Sequence, residues 1–155
     1  MEIQFLPSDN IEQLLSLQKS VDVYYDSIIC ITTEDTFIKI FSRIRKHHMV
    51  FREKLIRAIY KNVDADAIQI NKGQSLMERM WDEVLVAVLV NNEFKIIEYC
   101  RQNEIKLLQY LRKVIFVGEY SVRVQQILEE YALGIQQYLK SLNQLQEAIV
   151  KSKAA

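Results

Sequence analysis

Turn-forming residues are scarce in this sequence of 155 residues, which contains three glycines and a single proline. A multi-stranded sheet needs many tight turns, and glycine and proline are among the residues that most often form them. The one polar stretch typical of a longer loop is VDADAIQINKGQS, residues 63–75. The scarcity disfavours a β fold, and we predict an all-α protein.

Cysteine is almost as rare. Cys30 and Cys100 are far apart, lack Cys-x-x-Cys spacing and lie in apolar runs. This usage is typical of reduced core thiols in a cytoplasmic protein, and a disulfide between the two has little support. The N-terminus, MEIQFLPSDN, lacks the basic start and apolar stretch of a secretory signal. We therefore expect a cytoplasmic protein.

Neither sign of charge dominates, because 20 basic residues balance 20 acidic ones. Without a basic excess, no nucleic-acid partner is expected. The longest apolar run, VLVAVLV at residues 84–90, is far below the ~20 residues that a membrane-spanning helix needs. We expect a soluble protein with no membrane partner, folded as a single domain over residues 1–155 with a core from about 9 to 151.

Apolar residues recur at steps of three and four, which is the spacing of one helix face. The predicted helices comprise four long ones, at about residues 8–30, 35–62, 92–118 and 119–151, and a short one at 76–90. Residues 32–35, TTED, resemble a capping sequence for the second helix. Four long helices with one longer connection are typical of an antiparallel four-helix bundle. The rival, a long coiled coil, would need an apolar stripe continuing across residues 63–75, which the sequence lacks.

The segment RMWDEVLVAVLVNNEFKIIEYCRQNE, residues 79–104, resembles a bacterial ferritin-like family of uncharacterised function. That family has Arg-x-Trp and an acidic residue on a short helix, then a break and an Ile-[Leu/Ile]-x-x-Cys-Glu-x-Gly-Glu signature. The positions that match are Arg79, Trp81, Glu83, Ile96, Ile97, Cys100 and Glu104. The resemblance implies a ferritin-like bundle, with the short helix in the crossover between helices 2 and 3, and a link to the stress response.

The sequence departs from the family at positions that matter for metal binding. Arg101 replaces the first signature glutamate, and Asn103 replaces the glycine. The family tends to carry a glutamate and a histidine on its last helix, where this chain has Gly134, Tyr138 and Leu139. One of the two signature acids is therefore missing, and the last helix has no histidine.

These departures weaken the case for a ferritin-like dimetal centre. Such a centre needs a carboxylate from each of two helices and a Glu-x-x-His pair from each of the other two. The adjacent His47 and His48 have no glutamate three residues before them, and the sequence contains no Glu-x-x-His. We therefore expect no metal and no cofactor. If a metal binds, its ligands would be His48 and Glu104, with a surface acid such as Glu98 or Asp22.

His48 lies on the apolar stripe of its helix and is expected to face inward, while His47 lies at the edge of that stripe. Polar residues interrupt the apolar stripes of two other helices in the same way. If the helices align as in the family, the possible buried polar cluster consists of Gln18, His48, Arg101 and Glu104.

The VLVAVLV run is apolar on every side, so it must be covered by the bundle or by a second copy of the chain. For the second case, the possible homodimer interface is Val84, Val86, Val88 and Val90. No nucleophile–histidine–acid set, phosphate-binding glycine loop or zinc-type cysteine spacing is present, so an enzyme is not expected. The sequence leaves two hypotheses open: a non-catalytic oligomeric structural or interaction protein, and a metal-binding protein with an incomplete site.

Overall fold

The computed structural model describes residues 9–60, 81–90 and 92–154. These residues form five α-helices and no strand, which confirms the all-α prediction. In chain order the helices are α1 (Asp9–Ile31), α2 (Asp35–Ile59), α3 (Asp82–Leu89), α4 (Glu93–Val117) and α5 (Val122–Ala154). None of the helices in these ranges is long and apolar enough to cross a membrane.

The four long helices pack around one apolar core. α1 packs against α2, α2 against α5, and α5 against α4, while α3 contacts both α1 and α4. α1 and α2 run antiparallel, since Arg45 pairs with Asp22 and Arg52 donates to the carbonyl of Leu15. The largest fully buried side chains come from α1, α2, α5 and the residue before α3, and they include Tyr25, Phe41, Tyr131 and Trp81. α4 contributes a continuous buried stripe of its own.

The short helix α3 is anchored by Trp81, the residue directly before it. The indole is fully buried, lies 6.0 Å from the Tyr24 ring in a stacked arrangement and meets the Tyr25 ring edge-on at 5.5 Å. Tyr24 also donates a 2.7 Å hydrogen bond to Asp82, in the first turn of α3. These contacts hold the start of α3 against α1.

The ends of the four long helices lie within about three residues of the predicted ones. α4 begins after Asn92, whose side chain accepts a hydrogen bond from the backbone of Lys95, and it ends at Gly118 as expected. α5 begins three residues later than predicted, because the Ser121 hydroxyl accepts from the backbone of Val124 and so caps the helix there. At α2 the N-cap residue is Glu34, which makes no side-chain cap hydrogen bond, so the expected capping sequence does not act as one.

Two sequence predictions concern residues outside the described ranges. The predicted loop at 63–75 and the start of the short helix at 76–80 lie outside them.

Both cysteines are free, but only Cys100 is a core thiol. Cys30 is exposed, because its position in the last turn of α1 falls off the buried stripe that includes Tyr25 and Ile28.

Candidate functional site

Five polar side chains meet in the middle of the core, and we call them the central cluster: Tyr25, His48, Glu104, Tyr131 and Tyr138. Each long helix contributes at least one of them. Glu104, His48, Tyr25 and Tyr131 are fully buried, and Tyr138 is nearly so. The five side chains meet at the centre of the core because each residue lies on the inward-facing stripe of its helix, where the neighbouring positions are apolar.

The carboxylate of Glu104 is the acceptor at the centre of this cluster. Tyr25 donates its hydroxyl to Oε1 at 2.5 Å, and Tyr138 donates to Oε2 at 2.6 Å. His48 Nε2 lies 2.8 Å from Oε1. Three donors on three different helices therefore hold one carboxylate of a fourth helix, which supplies the hydrogen bonds that a buried carboxylate requires.

His48 is held on both ring nitrogens. Because Nε2 faces an ionised carboxylate, which only accepts, Nε2 carries a proton. Nδ1 lies 2.5 Å from the hydroxyl of Tyr131. The ring also stacks on Tyr25 at 5.9 Å between centroids with 19° between the planes. The imidazole orientation is thus fixed by packing as well as by hydrogen bonds.

The electrostatics of the cluster keep the charge on Glu104. Burial acts to raise the pKa of this carboxyl, but the charge of His48 and the three hydrogen bonds outweigh burial, so the pKa lies below its ordinary value of 4.5. The pKa values of Tyr25 and Tyr138 are raised well above 10, first by burial and then by the Glu104 charge. At neutral pH the cluster therefore holds a carboxylate and neutral phenols.

Of the four residues predicted to form a buried polar cluster, the structure brings only His48 and Glu104 into contact. Gln18 is buried near Tyr131, but the two side chains make no hydrogen bond of acceptable geometry. Burial and then the Glu104 charge raise the pKa of the Tyr131 hydroxyl well above 10. Neither amide atom of Gln18 has a hydrogen-bond partner among the described residues. Arg101 is only partly buried and makes no hydrogen bond to the cluster, and its Nε has no partner in the same ranges.

His47 lies beside the cluster, half-buried at the edge of α2. Its Nε2 donates to the backbone carbonyl of Tyr131 at 3.1 Å, and its ring packs on Phe51 at 4.6 Å. A Cβ atom on Gly134 would lie 2.0 Å from the His47 ring, so only glycine fits at this point of α5. Burial lowers the pKa of His47 from 6.5 to about 4, and the imidazole is therefore neutral at physiological pH.

Three residues of the central cluster were not predicted as site residues: Tyr25, Tyr131 and Tyr138. Each lies on the apolar stripe of its helix, and Tyr131 and Tyr138 are two helical turns apart on one face of α5. That spacing was the available signal, but an inward tyrosine is also an ordinary core residue.

A ferritin-like dimetal centre does not fit the side chains present. Among the described residues, no three His, Cys, Asp or Glu side chains are grouped so that they could hold a metal ion. Glu104 is the only carboxylate in the central cluster. Asp22, one of the surface acids considered as a ligand, instead pairs with Arg45 on α2, and Glu98 is only partly buried.

The predicted interface residues of α3 divide between two faces. Val84 and Val88 are buried against the core, together with Ala87. Val86, Leu89 and Val90 are 62%, 84% and 66% exposed. The helix therefore buries one apolar face and presents another to solvent.

Comparison with known proteins gives no match: no family model, no curated protein and no solved structure is similar to this chain.

Proposed function

We propose that this chain is a non-catalytic, oligomeric structural or interaction protein of the cytoplasm, with no nucleic-acid partner. Its helices form an antiparallel ferritin-like four-helix bundle with α3 in the crossover, and its role is in the stress response, as the resemblance of residues 79–104 implies. The observation that carries the proposal is the exposed apolar face of α3. Self-association through this face into a homodimer is the interaction that we expect first.

The exposed face suits a second copy of the chain. Val86, Leu89 and Val90 are neighbours at the end of α3, and each is more than half exposed. A cluster of exposed aliphatic side chains on one short helix is typical of an interaction site. Two copies related by a two-fold axis would pair α3 with α3, so that each apolar patch covers the other. With no net charge on the chain, long-range repulsion between copies is weak.

The central cluster supports a role without catalysis. A general acid or base must reach its substrate at hydrogen-bond distance. Glu104 and His48 have no solvent exposure, and their polar atoms are already paired with each other and with tyrosine hydroxyls. The polar groups of the cluster therefore serve the fold rather than a substrate.

Light scattering on the purified chain at micromolar concentration tests the proposal. The expected mass is twice the 18.3 kDa of one chain. Val86→Lys and Val90→Lys should each shift the mass towards the monomer, because a buried lysine at the two-fold contact would have no partner. Val23→Lys is the matched control, since Val23 is 60% exposed on α1 and its replacement should leave the mass unchanged. A wild-type monomer at high concentration would contradict the proposal.

Metal binding is the second candidate function. The observation that favours it is the 2.8 Å contact between His48 and Glu104, which brings together the two residues predicted as ligands. Metal content after purification without chelators tests this function directly. A metal ion held at one per chain, and lost in Glu104→Ala, would support it.

A further inference from the structure

The turn between α4 and α5 carries a second exposed apolar surface, which we call the tip surface. It consists of Phe116 and Val117, in the last turn of α4, and Val122, the first residue of α5. Phe116 and Val122 are 89% and 87% exposed, more than any other large apolar side chain in the described ranges. An aromatic side chain this exposed, next to two valines, is typical of an interaction site.

The turn beneath the tip surface is ordered by its own side chains. The Tyr120 hydroxyl donates a 3.0 Å hydrogen bond to the backbone carbonyl of Val114 in α4. The Tyr120 ring fills the space beside Gly118, where a Cβ atom would lie 2.0 Å from it. The Ser121 hydroxyl caps the start of α5. The apolar side chains are therefore presented on a fixed turn, so a partner that covers them orders little additional chain.

The tip surface and the exposed face of α3, formed by Val86, Leu89 and Val90, are surrounded by charges of opposite sign. Within five positions of the tip surface, the exposed charged residues are Arg112, Lys113, Arg123 and one acid, Glu119. Within five positions of the α3 face, they are Asp82, Glu83, Glu93 and one base, Lys95. Spacings of four and three residues place Lys113 beside Val117, and Glu83 beside Val86, on the same helix faces. The tip surface is therefore locally positive, and the α3 face is locally negative.

A single chain cannot bring these two surfaces together. α3 lies directly before the start of α4, whereas the tip surface includes the last turn of α4. α4 has 25 residues, and a helix of that length spans about 37 Å. A contact between the tip surface and the α3 face therefore requires a second copy of the chain.

Charge decides which surfaces of two copies meet. If α3 paired with α3, the three acids of one copy would face the same three acids of the other. If tip paired with tip, three cations would face three cations. Like charges that face each other across an interface are unfavourable, whereas opposite charges favour the correct partner and its orientation. The tip surface of one copy and the α3 face of another complement each other in both apolar character and charge.

We infer that the exposed face of α3 binds the tip surface of a second copy. The inference rests on the proposed self-association and names the surface that α3 meets in it. Two copies turned end for end form this contact twice, so they are related by a two-fold axis and the assembly closes as a homodimer. Phe116, the largest of the apolar side chains involved, is buried in each contact.

Mixing two variants tests the contact. Phe116→Lys disrupts the tip surface and Val90→Lys disrupts the α3 face, so each variant alone should self-associate at least about 10-fold more weakly than the wild type. In an equimolar mixture, the intact tip of one variant can bind the intact α3 face of the other. The mixture should therefore form dimers in light scattering at a concentration at which each variant alone is monomeric.

The controls for this experiment concern folding and position. Leu133→Lys is the matched control, because Leu133 is 56% exposed on α5 outside both surfaces, and this variant should self-associate like the wild type. All of the changes are at exposed positions, and circular dichroism checks that each variant remains helical.

Salt gives a second readout, which differs in sign between the two ways of pairing. Opposite charges attract across the contact of tip with α3, so raising the salt concentration from about 0.05 to 0.5 M should weaken the wild-type dimer. A contact of α3 with α3 would instead be strengthened, because salt screens the carboxylates that face each other.

Three results would overturn the inference. If the wild type is a dimer and Phe116→Lys remains one, α3 pairs with α3, and the proposed self-association stands without the tip. If both variants are monomeric and stay so when mixed, the tip surface and the α3 face do not bind each other. A wild-type monomer contradicts the proposed self-association as well. If that monomer sediments with phosphatidylglycerol vesicles, the tip surface binds a membrane instead.

Discussion

At the scale of single residues, Gly134 shows how closely α5 approaches α2. The ring of His47 occupies the space that a side chain at position 134 would need, since its Cε1 atom lies only 2.0 Å from where a Cβ would stand. In an exposed helix interior, replacing glycine by alanine stabilises the helix by about 1 kcal/mol. Here the same replacement forces His47 away from Phe51 and Tyr131, so the usual gain should become a loss.

Gly134→Ala should therefore lower the free energy of unfolding by about 1–3 kcal/mol, as for other overpacked sites. Chemical denaturation measures the change. In a His47→Ala background the obstacle is gone, and Gly134→Ala should then be neutral or stabilising. A stabilising effect in the wild-type background would mean that His47 moves aside without cost.

His47 also makes stability depend on pH. Its pKa is about 4 in the folded chain and 6.5 when unperturbed, so the folded state favours the neutral imidazole. The unfolded state takes up the proton first as the pH falls, and stability is lost between about pH 6.5 and 4. The low pKa of Glu104 adds a loss only at more acidic pH, below its ordinary value of 4.5.

We expect His47→Gln, which cannot be protonated, to flatten the pH dependence of stability in this window. Urea denaturation at a series of pH values measures it. Lys46→Gln, at the exposed neighbouring position, serves as the control and should leave the slope unchanged. An equally steep slope in His47→Gln would assign the acid sensitivity to another group.

At the scale of helices, the sequence pattern predicts which face of each helix is buried. It does not predict the axial position of a helix relative to its neighbours. His48 and Glu104 could be predicted as inward residues because each interrupts an apolar stripe. Their contact with Tyr25 and Tyr138 could not be predicted, because it depends on the relative axial positions of four helices. Arg101 was predicted to join them, but it is only partly buried and its buried Nε has no hydrogen-bond partner among the described residues.

The contribution of helix N-cap residues to stability can be tested one residue at a time. Asn92 accepts a hydrogen bond from the Lys95 backbone at the start of α4, whereas Glu34 makes no such bond at the start of α2. Asn92→Ala should cost about 0.5–2 kcal/mol of stability. Glu34→Ala should change the denaturation midpoint little, with the denaturant dependence of the unfolding free energy unaltered in both. Equal effects of the two changes would contradict this account of the caps.

At the scale of the whole molecule, the central cluster ties together α1, α2, α4 and α5 through one carboxylate. No helix of these four can leave the core without breaking a buried hydrogen bond to Glu104 or to its partners. We therefore expect the helices to unfold together in one transition.

Glu104→Ala should be among the most destabilising single changes, because it leaves His48 and two tyrosine hydroxyls without their acceptor. Loss of one partner from a buried ion pair typically costs about 3–5 kcal/mol, and a cost of that size is expected here. Denaturation followed by circular dichroism measures it. Glu98→Ala, at a partly exposed position of the same helix, should change stability by about 0.5 kcal/mol or less. A similarly small effect of Glu104→Ala would mean that water readily replaces the carboxylate.

The burial of Trp81 gives the protein a built-in optical reporter. It is the only tryptophan in the chain, and two tyrosine rings lie within 6.0 Å of it. Excited tyrosines at this distance transfer energy to the indole, and an indole shielded from water emits at shorter wavelength than a hydrated one. Undocking of α3 would therefore appear as a red shift with less transfer from tyrosine, even while circular dichroism still records intact long helices. The movement of one short helix can thus be followed in the unlabelled wild-type chain.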